Sequence, residues 1–372
     1  MGRSGTHMNG NKRPSMFEVA RLAGVSHQTV SRVINHSPDV SDATRAKVKQ
    51  AIAQLGYRRS NSARALASNR SRTVGLIACS IDFYGPISTL ASIELGVRHH
   101  DMFLSVVIVP QQEFERKGFD SAGRSFSEQD VDALVFIAPT DATLLAALRM
   151  DTVVPRIIIT STHGAVTVDE AVALSGTKGP VSFIGIDQWT AMHNIADMLH
   201  GFGHRDTMYL TGPSNWRDAA SRRLAWEHYC AKLGMATRIL DVDSWDSGKA
   251  YLALNETLDA CQSAGEQPPT AIVCANDNQA VGAIRALHEH GLRIPEDVSV
   301  VGFDDIPGAD NFYPPLTTVH PHFTEVGIKA TASMLSMLGA ADAPQFDRTA
   351  HGSGLVLADL TVRDSTGPAP AR

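Results

Sequence analysis

From Thr73 onward the chain alternates short, β-branched apolar runs with longer amphipathic stretches, and this alternation limits its fold more than any other feature. Val74-Gly75-Leu76-Ile77-Ala78, Ser105-Val106-Val107-Ile108-Val109, Leu134-Val135-Phe136-Ile137 and Arg156-Ile157-Ile158-Ile159 are short and almost uniformly apolar. Such runs read as strands buried on both faces, the mark of a parallel sheet. A second set follows at Val181-Ser182-Phe183-Ile184-Gly185, Met208-Tyr209-Leu210, Ala271-Ile272-Val273-Cys274 and Val298-Ser299-Val300-Val301. Helical stretches such as Trp189 to Leu199 and Gln279 to His290 separate them and supply the crossovers that parallel neighbours need. Two such runs predict an α/β protein with two doubly wound parallel-sheet lobes and a ligand crevice at the strands' carboxyl ends.

Ahead of Thr73 the period changes from strand to helix. Ser15-Met16-Phe17-Glu18 has the spacing of a capping box and starts a helix through Leu22. Ala23-Gly24 is a small-residue turn, and Ser26 can cap the next helix. Val30, Val33 and Ile34 fall on one face of that helix, leaving His27, Gln28 and Arg32 outside with side chains suited to base edges and phosphates. A third helix begins at Ser41, carries Val48, Ala51, Ile52 and Leu55 at helical spacing, and ends at Gly56. The pattern predicts a three-helix helix-turn-helix head over residues 15–57 that meets double-stranded DNA.

Charge agrees with that division. Residues 1–72 hold 13 Lys+Arg against 3 Asp+Glu, whereas the whole chain carries a net charge of -6. A basic head on an acidic body suits a polyanion-binding module joined to a domain that does not itself stick to DNA. Residues 58–72, rich in Arg, Ser, Ala and Asn, have too little apolar surface to fold alone. They read either as a plain linker or as a short helix over 62–67 that forms when something else orders it. Residues 1–14 read as a disordered leader.

Several classes are disfavoured. Cys79, Cys230, Cys261 and Cys274 are scattered, which fits reduced thiols in a cytoplasm better than a disulfide framework. There is no apolar run of membrane-spanning length, so no membrane partner is expected. No G-x-G-x-x-G accompanies Gly75 or Gly302, and no catalytic set emerges, so neither a nucleotide cofactor nor enzymatic activity is expected. His320-Pro321-His322 and His288-Glu289-His290 lack remote partners, so no metal is expected either.

Taken together, Val19-Ala20 to Asn35, Val40-Ser41 to Tyr57, Ala63-Arg64-Ala65-Leu66-Ala67, Ala275-Asn276-Asp277, Val300-Val301-Gly302-Phe303-Asp304-Asp305 and Pro314-Pro315-Leu316-Thr317-Thr318-Val319 resemble the LacI/GalR family of bacterial transcription repressors. The likeness covers nearly all of residues 15–363 and implies lobes of periplasmic-binding-protein type. It also implies a homodimer reading a pseudo-palindromic operator, and a small-molecule effector bound between the lobes.

By position the resemblance makes His27, Gln28 and Arg32 base readers, with Thr29 and Ser31 as phosphate contacts. For His27 a solvated helix residue is the competing reading. Leu66 matches the hinge leucine that wedges into the minor groove, while Arg59-Ser60 replaces the usual Pro-Asn before it.

In the effector site the matching positions are Arg222, Asn276 and Asp304, the aromatics Trp245 and Phe323, and an apolar wall of Phe83, Gly85 and Pro86. Asp304 could instead cap a turn, and Trp245 could be a packing residue. Asp82 to Pro86 resembles the lactose-repressor branch, and Trp216 stands where the purine branch has a base-binding arginine, so the resemblance favours a sugar, with a galactoside foremost. Many sugar-binding members have an aspartate after the strand at 157–159, where this chain has Thr160-Ser161. The alternative is a corepressor such as a purine that tightens operator binding. The resemblance divides the body into an N-lobe of about 73–184 plus 318–357 and a C-lobe of about 185–317 plus 358–363, within an effector and dimerisation domain of 73–372. Residues after Arg363 show no leucine heptads, so a dimer is expected rather than a tetramer.

Overall fold

The computed structural model describes residues 14–34, 37–57, 70–79, 81–164, 166–340 and 353–371, and the chain divides into two compact units after Ser71. In the first unit α1 (Met16–Ala23), α2 (His27–Ile34) and α3 (Asp42–Leu55) form a small bundle. Ser15 and Glu18 close a reciprocal capping box on α1, which stops at Gly24 in the left-handed conformation (φ 68°). Ser26 Oγ accepts from Thr29 N–H at 3.1 Å and so starts α2. Val19, Ala20, Val30, Val33, Val48, Ala51 and Tyr57 make the shared core. The hinge position Leu66 lies outside the described residues.

The second unit opens with β1 (Thr73–Ala78), α4 (Tyr84–His99), β2 (Phe103–Ile108), α5 (Gln111–Lys117), α6 (Asp120–Glu128) and β3 (Ala133–Ile137). It continues with α7 (Asp141–Arg149), β4 (Arg156–Ile159), α8 (Val168–Ser175) and β5 (Val181–Ile186). The chain then builds a second lobe from α9 (Gln188–Gly201), β6 (Asp206–Leu210), α10 (Arg217–Leu233), β7 (Ala236–Leu240) and α11 (Ser247–Ala264). β8 (Ala271–Cys274), α12 (Asp277–Glu289), β9 (Ser299–Phe303) and β10 (Thr317–Pro321) complete the run. α13 (Phe323–Met337) and β11 (Ser353–Val356) return to the first lobe, and β12 (Ala358–Thr361) to the second.

The first sheet is ordered β11-β5-β4-β3-β1-β2, with every pair parallel. The second is ordered β12-β10-β9-β8-β6-β7, parallel except for the antiparallel β10–β12 pair. Strand order reverses once in each, at β1/β3 and at β6/β8, and such reversals open crevices at the strands' carboxyl ends. On the outer face of the first sheet α13 lies against α4. A Cβ on Gly327 would come 2.5 Å from the Ser92 carbonyl carbon, an approach that only glycine permits.

Two boundaries differ from the sequence expectation. Residues 318–321 belong to the second lobe, because β10 pairs with β9 (Thr318 opposite Gly302) and with β12, so the crossing comes after Pro321 rather than near 318. The second lobe also continues past Arg363. Ser365 and Thr366 are buried, Ser365 Oγ donates to Val300 O at 2.7 Å, and His204 Nε2 contacts Gly367 O at 3.0 Å. A Ser-Thr-Gly-Pro segment carries no apolar period, so its role in satisfying β9's polar groups is silent in pattern.

Candidate functional site

On the first unit's surface, His27, Gln28 and Arg32 are exposed on the outer side of α2, with Thr29 and Ser31 half-buried. The His27 ring stacks on Phe17 with centroids 4.7 Å apart and planes at 18°. That contact fixes the imidazole at the first turn of α2. Thr29 Oγ1 is 2.9 Å from Ser26 Oγ, so part of its hydrogen-bonding capacity goes to the cap.

In the second unit the sequence-selected effector residues converge between the lobes. Arg222, on the inner face of α10, is the centre of the arrangement. Its side chain is 6 % exposed, its guanidinium carbon lies 3.4 Å from the Phe303 ring centroid, and its Nη2 is 3.7 Å from the Asp304 carboxylate. Nε donates to Gln188 Oε1 at 2.8 Å, and Nη1 donates to Ala275 O. Asp304 follows β9 at φ 110°, a conformation L-residues rarely adopt, and it aims its carboxylate at Arg222 rather than capping a turn. Burial pushes the Asp304 carboxyl up to about 7; Arg222 opposes that rise and Asp218 adds to it.

The aromatics form one wall. Trp216 meets Phe83 edge-on at 5.2 Å and Trp245 edge-on at 5.5 Å. Gly85 and Pro86 occupy the first turn of α4, where a Cβ on Gly85 would be 3.7 Å from the Phe323 ring. Two adjoining cavities, of about 70 and about 40 Å³, share Gly85, Pro86, Trp216, Asp218, Arg222 and Asp304 as walls. Phe323 lines the first, while Phe83, Trp245 and Asn276 line the second. Asn276 has its fork already engaged. Its Oδ1 accepts from Gln279 N–H at 2.9 Å as the cap of α12, and its Nδ2 donates to Trp245 O at 3.3 Å.

Sequence reasoning missed three residues at this crevice. Asp218, one turn before Arg222, accepts from Ser161 Oγ of the first lobe and from Gln188 Nε2 at 3.4 Å. Arg217 is fully buried and reaches into the first lobe, with Nε and Nη2 on Ser161 O at 3.1 and 2.9 Å. Its Nη1 donates to Val166 O at 2.8 Å and pairs with Asp141. Asp277 is buried behind Asp304, holding Thr318 Oγ1 at 2.5 Å and Ile306 N–H at 2.9 Å, and burial pushes it up to about 8. Only Asp277 had a signal, its place in Ala275-Asn276-Asp277.

A larger cavity of about 500 Å³ lies in the first lobe between α6 and α7, and contains none of the sequence-selected residues. His320 pairs with Asp305, and His322 with Asp359, each at 2.9 Å. Among the described residues no group of three or more His, Cys, Asp or Glu is placed to hold a metal ion, and no helix is long and apolar enough to cross a membrane.

Comparison with known proteins accounts for both units. Bacterial regulatory proteins of the lacI family match residues 15–60, and the periplasmic binding protein-like domain matches residues 196–366. The HTH-type transcriptional regulator CelR of Thermobifida fusca is 31% identical over 323 residues, covering 84% of this chain and 88% of the relative. The lactose operon repressor of Escherichia coli K12 is 28% identical, covering 88% of this chain and 85% of the repressor. The crystal structure of a lac repressor dimer bound to operator and the anti-inducer ONPF superposes with a TM-score of 0.78, at 27% identity over 96% of this chain and all of that one. The chain belongs to the lacI family of bacterial regulatory proteins and is a DNA-binding transcriptional regulator.

Proposed function

We propose that this regulator is a cytoplasmic, non-enzymatic homodimeric repressor whose operator affinity falls when an uncharged sugar fills the cleft between its lobes. The observation that carries this reading is the convergence of Arg222, Asp304 and Asp218 from separate turns beside the Trp216–Trp245 wall. Carboxylates that fork to neighbouring hydroxyls, set against aromatic faces for C–H surfaces, are the chemistry of sugar recognition. The dimer is supported by an apolar edge: β2 ends the first sheet with Phe103, Val106 and Ile108 exposed by 51, 39 and 49 %. An exposed apolar edge strand calls for a covering partner. The lac repressor to which the chain is similar is itself a dimer on operator.

Titrating a labelled operator with the protein, with and without saturating galactoside or cellobiose, tests the reading. A weaker operator complex in sugar supports it, and unchanged affinity across a sugar panel contradicts it. In the same assay Arg32→Ala costs about 1–3 kcal/mol on the cognate operator and relaxes preference at one base pair. A loss spread equally over all DNA sequences would instead make Arg32 a phosphate contact.

Sugar affinity also depends on pH. Asp304 is protonated below about 7, and only its ionised form accepts two hydroxyls. Binding therefore releases a proton, and affinity rises as pH climbs through 7, levels off above it, and falls by about tenfold per unit well below it. Calorimetry in buffers of different ionisation enthalpy reads that proton directly. A flat pH profile removes Asp304 from the contact.

A further inference from the structure

We propose that the cavity of about 500 Å³ between α6 and α7 is a second small-molecule site, and that it takes a compact apolar or aromatic molecule carrying a single carboxylate. The cavity lies at the amino ends of β3 and β4, whereas Thr160, on the cleft wall, follows the carboxyl end of β4. The two sites therefore sit at opposite ends of the same strands. Its volume falls within the range of roughly 300–1,000 Å³ typical of small-molecule sites.

Its walls are of two kinds. Phe119, Phe126, Val131, Leu134, Met150 and Val154 give an apolar lining, and the unbranched Met150 side chain can adapt to what it covers. Asp120, Gly123, Arg124 and Ser127, spaced i, i+3, i+4 and i+7 on α6, give a polar one. Gly123 brings α6 close to the end of α7, where a Cβ on it would be 3.4 Å from Met150 Cε. Arg124 follows Gly123 and Arg149 precedes Met150, so that approach brings the two arginines to the same part of the cavity.

Both arginines lack the pairings that their positions would ordinarily give them. Arg124 follows Asp120 by four residues, the spacing at which Glu94 and Arg98 form an ion pair elsewhere in this lobe. Arg149 ends α7, where a basic side chain commonly serves the last carbonyls. Arg156 has taken that duty, its Nη1 donating to the carbonyls of Ala147, Leu148 and Met150 at 3.0, 2.9 and 3.3 Å. Among the described residues neither Arg124 nor Arg149 has a hydrogen bond or an ion pair. Arg156 is fully buried and has no carboxylate partner among the described residues, so it adds positive charge behind the Met150 wall. An anionic head group is what such a wall selects.

The carboxylates of the cavity limit that anion to one charge. Asp151 is paired with Lys178 at 3.0 Å, which leaves Asp120 and Asp130. A single ligand carboxylate meets two uncommitted guanidiniums. A second anionic charge falls toward Asp120 and Asp130 and is repelled.

Calorimetric titration of the full chain with phenylacetate, indole-3-acetate, phenylacetamide and dianionic phenyl phosphate tests this. Both acids are expected to bind, with phenylacetate at least about tenfold tighter than its amide or phenyl phosphate. Arg124→Gln with Arg149→Gln lowers phenylacetate to the level of the amide and leaves the amide unchanged. Ser127→Trp, which fills the cavity from an exposed position, removes binding of every ligand in the panel. Arg222→Met, in the cleft, leaves phenylacetate affinity as it is in the wild type. Thermal unfolding checks each variant's fold, and the arginine pair decides the matter if Ser127→Trp does not fold. Equal affinity for phenylacetate and phenylacetamide, or tighter binding of phenyl phosphate, overturns the assigned class. Wild-type affinity in Ser127→Trp, or loss of affinity in Arg222→Met, puts the acids elsewhere and overturns the site. Failure of both acids to bind at millimolar concentration overturns the proposal outright, and none of these results bears on the sugar reading.

Discussion

Replacing Arg217 with methionine lowers the stability of the second unit by about 3–5 kcal/mol, the scale for removing one partner of a buried ion pair. The side chain has no exposure, so water cannot take over its duties. Its loss takes one donor from Asp141, one from the Val166 carbonyl and two from the Ser161 carbonyl. It also frees the loop after β4 that holds Asp218. Removing Asp141 alone should cost a comparable amount, because it leaves the wholly buried guanidinium without its counter-charge, although the Ser161 and Val166 carbonyls still accept from it. Urea denaturation followed by tryptophan fluorescence measures both. An Arg217→Met midpoint equal to that of the wild type would mean that the contact contributes nothing to holding the lobes.

The second large effect falls on ligand response. Arg222→Met weakens sugar binding by about 2–5 kcal/mol, the range for truncating one member of a buried charge pair in an interface. Arg222 holds Asp304 in place, so the carboxylate loses its orientation along with its counter-charge. Removing that cation also removes what opposes the upward shift of Asp304, so the carboxyl titrates above about 7 in the variant. The pH at which affinity levels off moves upward in step. A variant that binds weakly but keeps the wild-type pH midpoint would show that Arg222 acts by packing on Phe303 rather than by charge.

These two arginines also mark where sequence reading stops. Arg222 was legible only as a position matching the effector site of the family, and Asp304 because it follows a recognisable strand. The lobes themselves were legible from period alone: most strands expected between residues 74 and 301 form, within a residue or two of the positions expected. The helices of the head announced themselves through Ser15, Ser26, Ser41 and Gly56, since caps leave strong local signals.

Contacts across the cleft leave no such signal. Ser161 lies 57 residues from Asp218 and its carbonyl 56 from Arg217, and nothing local in Arg217-Asp218 distinguishes it from an ordinary charged first turn. The same holds for β10 and the tail after Arg363. Their places depend on which sheet accepts them, and that choice is made by hydrogen-bond partners far away in sequence. Asn276 shows the converse case. Its motif drew attention as a ligand fork, and the structure spends that fork on capping α12 and on Trp245 O.

The central claim is that one ligand in the cleft and one DNA site on the head bias the same equilibrium. Linkage then requires the factor by which sugar weakens operator binding to equal the factor by which operator weakens sugar binding. Measuring both, by operator anisotropy with and without saturating sugar and by sugar calorimetry with and without operator, tests this most directly. The account predicts equal factors well above one, both abolished in Arg222→Met. Operator affinity indifferent to a sugar that demonstrably fills the cleft would contradict it.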